Sequence, residues 1–191
     1  MAKARTIVSR PASAQARQAL ENRSAILPTV DVIPAGPASR LSLRAPSESA
    51  AALGKALGLT LPLKPKASVT DGPRSAFWLG PDEWLVIDED GADLPALCAG
   101  AKAFHSAVDV SHRNVGIVVA GKGAEATISA GCPQDLSLDS FPVGACSRTV
   151  LGKIEIVLWR KTEREFRVEC WRSFSDYAFA FLSEAARDAA D

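Results

Sequence analysis

At 191 residues the chain is long enough for one large domain or two fused small ones. Its 22 basic residues balance 22 acidic ones, which argues against a dedicated nucleic-acid binder. With 47% hydrophobic residues a sizeable core is expected. No apolar run reaches the roughly 18 residues of a membrane span, and residues 1–25 lack the apolar stretch of a secretory signal. The expected setting is therefore cytoplasmic, with neither nucleic acid nor membrane as a partner.

Residues 1–38 read as a flexible basic N-terminal arm. Lys3, Arg5, Arg10, Arg17 and Arg23 face only Glu21 within residues 1–25. Pro28, Pro34, Gly36 and Pro37 then break regular structure. A disordered tail, an arm that orders on a partner and an Arg-rich transit segment all fit this composition. The apolar punctuation at Ile7-Val8, Leu20, Ile26-Leu27 and Val30-x-Val32-Ile33 favours docking.

A first α+β unit is expected over 39–104. Leu41-Ser42-Leu43 alternates as a short strand, and Ser47 opens a helix that Gly58 ends in a left-handed turn. Two strands, 75–79 and 84–87, flank a Gly80-Pro81-Asp82 turn, and 93–102 closes as a helix. A second unit, 105–191, repeats the order. A strand over 115–120 leads to a helix over 124–130. A meander follows (148–151, 154–159, 166–171), and a final helix starts near Ser173 with Asp176 as a capping-box partner. Its apolar stripe is Phe174, Tyr177, Ala178, Phe181, Leu182 and Ala185. In the last strand Phe166, Val168 and Cys170 share one face, and Glu165, Arg167 and Glu169 share the other. That opposite face is expected to be wet or covered by something polar. The duplication makes one compact body over 39–188.

No catalytic constellation emerges, and no catalytic, cofactor-binding or metal-binding residue is assigned. Asp109 and Ser111 share a face of an extended segment while His112 points away, so they make no triad. A structural or interface role suits His112 and Arg113 better. Gly121-Lys122-Gly123 reads as a tight strand-to-helix turn rather than a phosphate cradle. Alternation puts Glu155 on a solvated face. Cys98, Cys132, Cys146 and Cys170 are scattered, without the pairing a zinc site needs, and read as buried or semi-buried free thiols. Trp78, Trp84, Trp159 and Trp171 either fill the layer between sheet and helices or form a docking face. The candidate partner-contact residues are Arg5, Arg10, Arg17, Trp84, His112 and Arg113.

Four strings carry a family resemblance: Leu79-Gly80-Pro81-Asp82-Glu83-Trp84-Leu85, Asp109-Val110-Ser111-His112-Arg113, Cys132-Pro133-Gln134-Asp135-Leu136 and Arg172-Ser173-Phe174-Ser175-Asp176-Tyr177. In order and over roughly residues 40–183, they resemble the gamma subunits of bacterial heterotetrameric sarcosine oxidases. Those are in turn similar to the folate-binding domain of glycine-cleavage aminomethyltransferases, the echo running over 108–182. Where those enzymes carry an acidic Ile-Asp-Asp-type segment, this chain has Gly152-Lys153-Ile154-Glu155-Ile156, with a single acid. The departure speaks against independent folate chemistry.

The resemblance implies an α+β fold of two repeated β-α-β-meander-α, ferredoxin-like halves. It implies a non-catalytic structural subunit of a complex that demethylates sarcosine to glycine, hydrogen peroxide and formaldehyde or methylene-tetrahydrofolate. The partners would be alpha, beta and delta subunits, alpha foremost. FAD, FMN, NAD and zinc would sit on those chains, none on this one, with tetrahydrofolate a co-substrate of the complex. A free-standing folate-dependent one-carbon transferase is the alternative.

Overall fold

The computed structural model describes residues 20–189. Arg5, Arg10 and Arg17, and with them half of the expected arm, lie outside the described residues. The strands are β1 (Ala25–Ile26), β2 (Val30–Pro34), β3 (Ser39–Arg44), β4 (Ser68–Asp71), β5 (Arg74–Gly80), β6 (Glu83–Asp88), β7 (Ser106–Asp109), β8 (Asn114–Gly121), β9 (Cys146–Leu151), β10 (Ile154–Thr162) and β11 (Glu165–Trp171). The helices are α1 (Ala50–Leu57), α2 (Leu94–Ala99), α3 (Ala124–Ser129) and α4 (Ser175–Asp188).

The strands form two antiparallel sheets. One runs β4-β5-β6-β3-β7 and the other β1-β2-β8-β11-β10-β9. Position by position, β3, β4, β5 and β6 correspond to β8, β9, β10 and β11, each set interrupted and followed by one helix. The expected duplication is thus present in the topology. The fifth position differs in origin. In the first sheet β7 supplies it after α2; in the second β2 supplies it from ahead of the whole body.

Two expected boundaries are corrected by this exchange. The segment 30–34 is not arm but a sheet strand, paired with β8 from Val30↔Gly121 to Pro34↔Ile117. Val30 and Val32 are buried in the same core as Ile117 and Val119. The apolar alternation read as partner anchors is satisfied by the chain's own sheet, where it covers an otherwise open edge. The boundary at residues 104 and 105 also cuts off β7, which pairs with β3 of the first sheet from Leu41↔Asp109 to Arg44↔Ser106.

Alternation along each strand then sets the layers. Leu41, Leu43, Trp84 and Val86 face α1 and α2, sharing a core with Leu53, Leu57 and Leu94. Ile156, Leu158, Phe166 and Val168 face α3 and α4, with Ile128, Phe179 and Leu182. The opposite faces meet each other: Phe77, Leu85 and Ile87 of the first sheet pack on Cys146 and Trp159 of the second. The order is helix, sheet, sheet, helix. The face of β11 expected to be wet is therefore an interior one, with Arg167 and Glu169 only 5% and 3% exposed. Alternation tells which residues share a face, not what covers it.

Local signals mostly hold. Gly58 ends α1 at φ +73°, in the left-handed region. Asp93 caps α2 by accepting from Ala96 N, with Pro95 in the first turn. The start of α4 differs. A 3₁₀ turn, Arg172–Phe174, precedes it and no side chain caps it. Asp176 is exposed and pairs with Arg23 at 2.8 Å. The buried stripe is Ala178, Phe179, Leu182, Ala185 and Ala186, while Phe174 and Tyr177 stay partly exposed. Small alanines let the helix sit close on the sheet beside the buried Phe179 ring.

Gly121 fixes β2 to the body. Its φ is +123°, and a Cβ there would lie 2.3 Å from the carbonyl oxygen of Thr29, one residue before β2. Gly121→Ala is expected to destabilise the chain by about 1–3 kcal/mol from backbone strain alone, with the clash added. Urea denaturation gives the magnitude, and hydrogen exchange should show lost protection at Val30–Ile33 first.

Candidate functional site

Charged side chains fill the layer between the sheets at one end. Glu169 accepts from Arg40 at 2.6 Å (Nε to Oε2) and 3.1 Å (Nη2 to Oε1), and from Arg167 Nε at 2.8 Å. Arg40 also donates to Ala38 O, and Arg167 reaches Glu89 at 2.7 Å. The guanidinium fork matches a carboxylate, so one acid locks two strands of different sheets in register. Burial alone would raise the Glu169 pKa, but the charges and hydrogen bonds of Arg40 and Arg167 outweigh it and hold the group below the usual carboxylate range. A carboxylate so committed is poorly suited to take a proton as a base.

The Asp109-Ser111-His112 segment turns the chain from β7 into β8. Asp109 accepts from Ser111 N at 2.8 Å and from its hydroxyl at 2.5 Å, and the hydroxyl oxygen accepts from Arg40 N at 2.7 Å. Ser111 is buried and His112 is exposed, pointing elsewhere. The three make a turn, not a triad, as the spacing predicts. The Gly121–Gly123 turn is likewise structural: Gly121 N donates to Arg164 O and Gly123 N to Thr29 O. Glu155 is 57% exposed and lies 3.7 Å from Arg148, the solvated placement that alternation implies.

All four cysteines are free and buried. Burial pushes the Cys146 and Cys170 thiols up to about 12 and raises Cys98 as well. Since the thiolate is the nucleophile, native protein at pH 8 should resist iodoacetamide, with labelling by mass spectrometry appearing only on unfolding. Rapid native labelling at any of the three would contradict the burial. Among the described residues no group of three His, Cys, Asp or Glu side chains could hold a metal ion.

The tryptophans separate into core and surface. Trp84 is fully buried and its Nε1 donates to Pro62 O at 2.7 Å. Its expected role as a partner contact is corrected, since no partner can touch it. Trp159 packs edge-on against Phe77. Trp171 is 43% exposed and Phe174 40%. Their rings stack with centroids 6.0 Å apart, and the Arg113 guanidinium lies 5.2 Å above Trp171. His112 and Arg113 are both exposed. Trp171 was within reach of the sequence: it closes a strand whose alternation puts it with Glu169 on the inter-sheet face. What alternation does not give is that this end of the strand is left exposed.

A family model described as "Sarcosine oxidase, gamma subunit family" matches residues 43–188. The chain belongs to the sarcosine oxidase gamma subunit family. Relatives include the sarcosine oxidase subunit gamma of Corynebacterium sp. (strain P-1), 31% identical over 139 residues, covering 71% of this chain and 68% of that one. The Arthrobacter sp. subunit gamma is 30% identical over 154 residues, covering 78% and 75%. Among solved structures, a chain of the heterotetrameric sarcosine oxidase from Corynebacterium sp. U-96, in complex with pyrrole 2-carboxylate, aligns over 96% of this chain and 97% of its own. The TM-score is 0.82 at 27% identity. The glycine cleavage system aminomethyltransferase T from Bartonella henselae shares the fold, with TM-score 0.59 at 12% identity over 93% of this chain and 52% of that enzyme. The gamma-subunit family resemblance and the aminomethyltransferase-like α+β architecture expected from the sequence are both found.

Proposed function

We propose that this chain is the gamma subunit of a heterotetrameric sarcosine oxidase and lends that enzyme shape and contact surface rather than reactive groups. The observation that carries this reading is the near end-to-end match, in both directions, with one chain of a heterotetrameric sarcosine oxidase. The fate of the polar groups supports it: Glu169, Arg40 and Arg167 are spent on joining the two sheets, and Ser111 on the turn between β7 and β8. In this reading the complex demethylates sarcosine oxidatively, dioxygen being reduced to hydrogen peroxide. The methyl carbon leaves as formaldehyde or passes to tetrahydrofolate as the methylene adduct. FAD, FMN, NAD and zinc are assigned to the alpha, beta and delta subunits, with alpha the main contact, in the cytoplasm. No helix among the described residues is long and apolar enough to cross a membrane.

Co-expression with the neighbouring subunits tests it. A tag on this chain should retrieve an assembly with flavin absorbance and sarcosine-dependent peroxide formation, and the chain alone should give neither. The alternative of a free-standing folate-dependent transferase needs Glu155 as its acid, yet Glu155 stands in solvent beside Arg148. Calorimetry of the isolated chain with tetrahydrofolate is expected to be silent. Binding lost in Glu155→Gln would overturn the structural role.

A further inference from the structure

We infer that the rim where the two sheets part, built from Arg113, Trp171 and Phe174, receives an acidic segment of a companion subunit that sets a carboxylate beside an apolar side chain. The inference rests on the functional reading above and adds the surface and its chemistry.

Charge is the first argument. The buried and half-buried sheet arginines Arg40, Arg74, Arg148, Arg160 and Arg167 are each paired with a carboxylate. Arg113 differs. Its Nε donates to Asn114 Oδ1 at 3.3 Å, and among the described residues it makes no ion pair. A guanidinium has five N–H donors, so most of its fork is free to meet an incoming carboxylate in bidentate fashion.

Shape is the second. Trp171 stacks on the Phe174 ring and has the Arg113 guanidinium over its own ring. An indole fixed in this way loses little rotamer freedom on binding, and a partner that covers it removes apolar area from water at about 25 cal/mol per Å². Tryptophan and arginine are the residue types that dominate interface energetics. The cleft behind this rim has a volume of only about 50 Å³, with Val110, Arg113, Arg148 and Trp171 among its walls. Small-molecule sites usually enclose about 300–1,000 Å³. This space is enough to seat the tip of one side chain from a surface pressed over it, not a metabolite.

The same pair of residue types could stack and neutralise a nucleic acid. A phosphate backbone calls for a run of cations, whereas the chain has no net positive charge and the rim offers, among the described residues, one unpaired guanidinium. A protein segment with one or two acids fits better.

The test uses the co-expressed assembly, with the tag on this chain. Arg113→Glu and Trp171→Ala are each expected to lower retention of the companion subunits at least tenfold in a salt-wash series, with Arg113→Lys intermediate. Phe104→Ser, at an exposed apolar residue elsewhere, should leave retention unchanged. Thermal melting of each isolated variant identifies loss of fold, and Arg113→Glu, at an exposed position, decides the matter if Trp171→Ala melts early. Parental retention in Arg113→Glu overturns the docking surface while leaving membership of the complex intact. So does salt-sensitive RNA binding, or a concentration-dependent dimer of this chain, that Arg113→Glu abolishes. A parental chain that retains no companion overturns the functional reading and this surface with it.

Discussion

Glu169→Leu is expected to destabilise the isolated chain by about 3–5 kcal/mol, the usual cost of removing one member of a buried ion pair. The loss comes less from the missing bonds than from what remains. Arg40 is 2% exposed and Arg167 5%, and both would keep a charge inside the sandwich facing one another. Arg167 retains Glu89, and Arg40 retains only the Ala38 carbonyl. Adding Arg40→Met to Glu169→Leu should therefore recover part of the loss, about 1–3 kcal/mol, since a well-packed apolar pair needs no counter-charge. Urea denaturation of the two single variants and the double variant measures the coupling. A double variant no more stable than Glu169→Leu alone would show that the pairing is not what ties the sheets together.

The same cluster gives stability a pH dependence of known sign. The folded-state pKa of Glu169 lies below the ordinary value of about 4.3. The unfolded chain therefore takes up protons first as the pH drops. The stabilisation is fully present at neutral pH, begins to fade near the ordinary value and is lost as pH falls through the folded pKa. Asp88 acts in the same direction. Burial works against its ionisation, yet the amides of Ala92 and Asp90 and the Arg74 guanidinium prevail and lower its pKa. The parental chain should lose stability from about pH 5 downwards, and Glu169→Leu should show a shallower acid limb.

What the sequence reveals and what it hides follow from how far each signal reaches. Gly58 and Asp93 act on backbone within a few residues, so the helix ends they govern are legible. The meander strands are legible from alternation. The partner of β2 lies about 85 residues away, and nothing within Val30–Pro34 names it; a short alternating run after a basic stretch looks the same whether it closes a sheet or waits for another chain. Arg167 and Glu169 were legible as sharing a face, but the guanidinium that Arg40 brings to that face from the other half becomes visible only when the sheets stack. His112 and Arg113 follow a strand and precede another, and their exposure is what a turn between two strands dictates. Trp84 carried a local signal that favours burial. Trp84-Leu85-Val86-Ile87 is a continuous apolar run rather than an alternating one, the mark of a strand covered on both faces, and every position of β6 is buried.

Trp84→Ala separates the two roles a sheet tryptophan can play. A partner contact would leave the isolated chain as stable as before and weaken only assembly. The structure requires the reverse. The ring is fully buried among Leu43, Leu53 and Leu61, and truncation leaves a cavity that this close-packed layer between α1 and β6 can only partly fill. About 3–5 kcal/mol of stability should be lost, together with the hydrogen bond that satisfies Pro62 O. Trp84→Phe should cost less, because it keeps most of the apolar volume and gives up the bond and one ring. Calorimetric melting of the isolated chain, read beside companion retention at a temperature where the variant is still folded, discriminates the outcomes. A normal melt with lost retention would mean that Trp84 reaches a surface in solution and that the helix layer over it opens. An early melt with retention recovered at low temperature is the result that a core residue demands. It would leave Trp171, exposed at the end of β11 in the facing sheet, as the indole available to another chain.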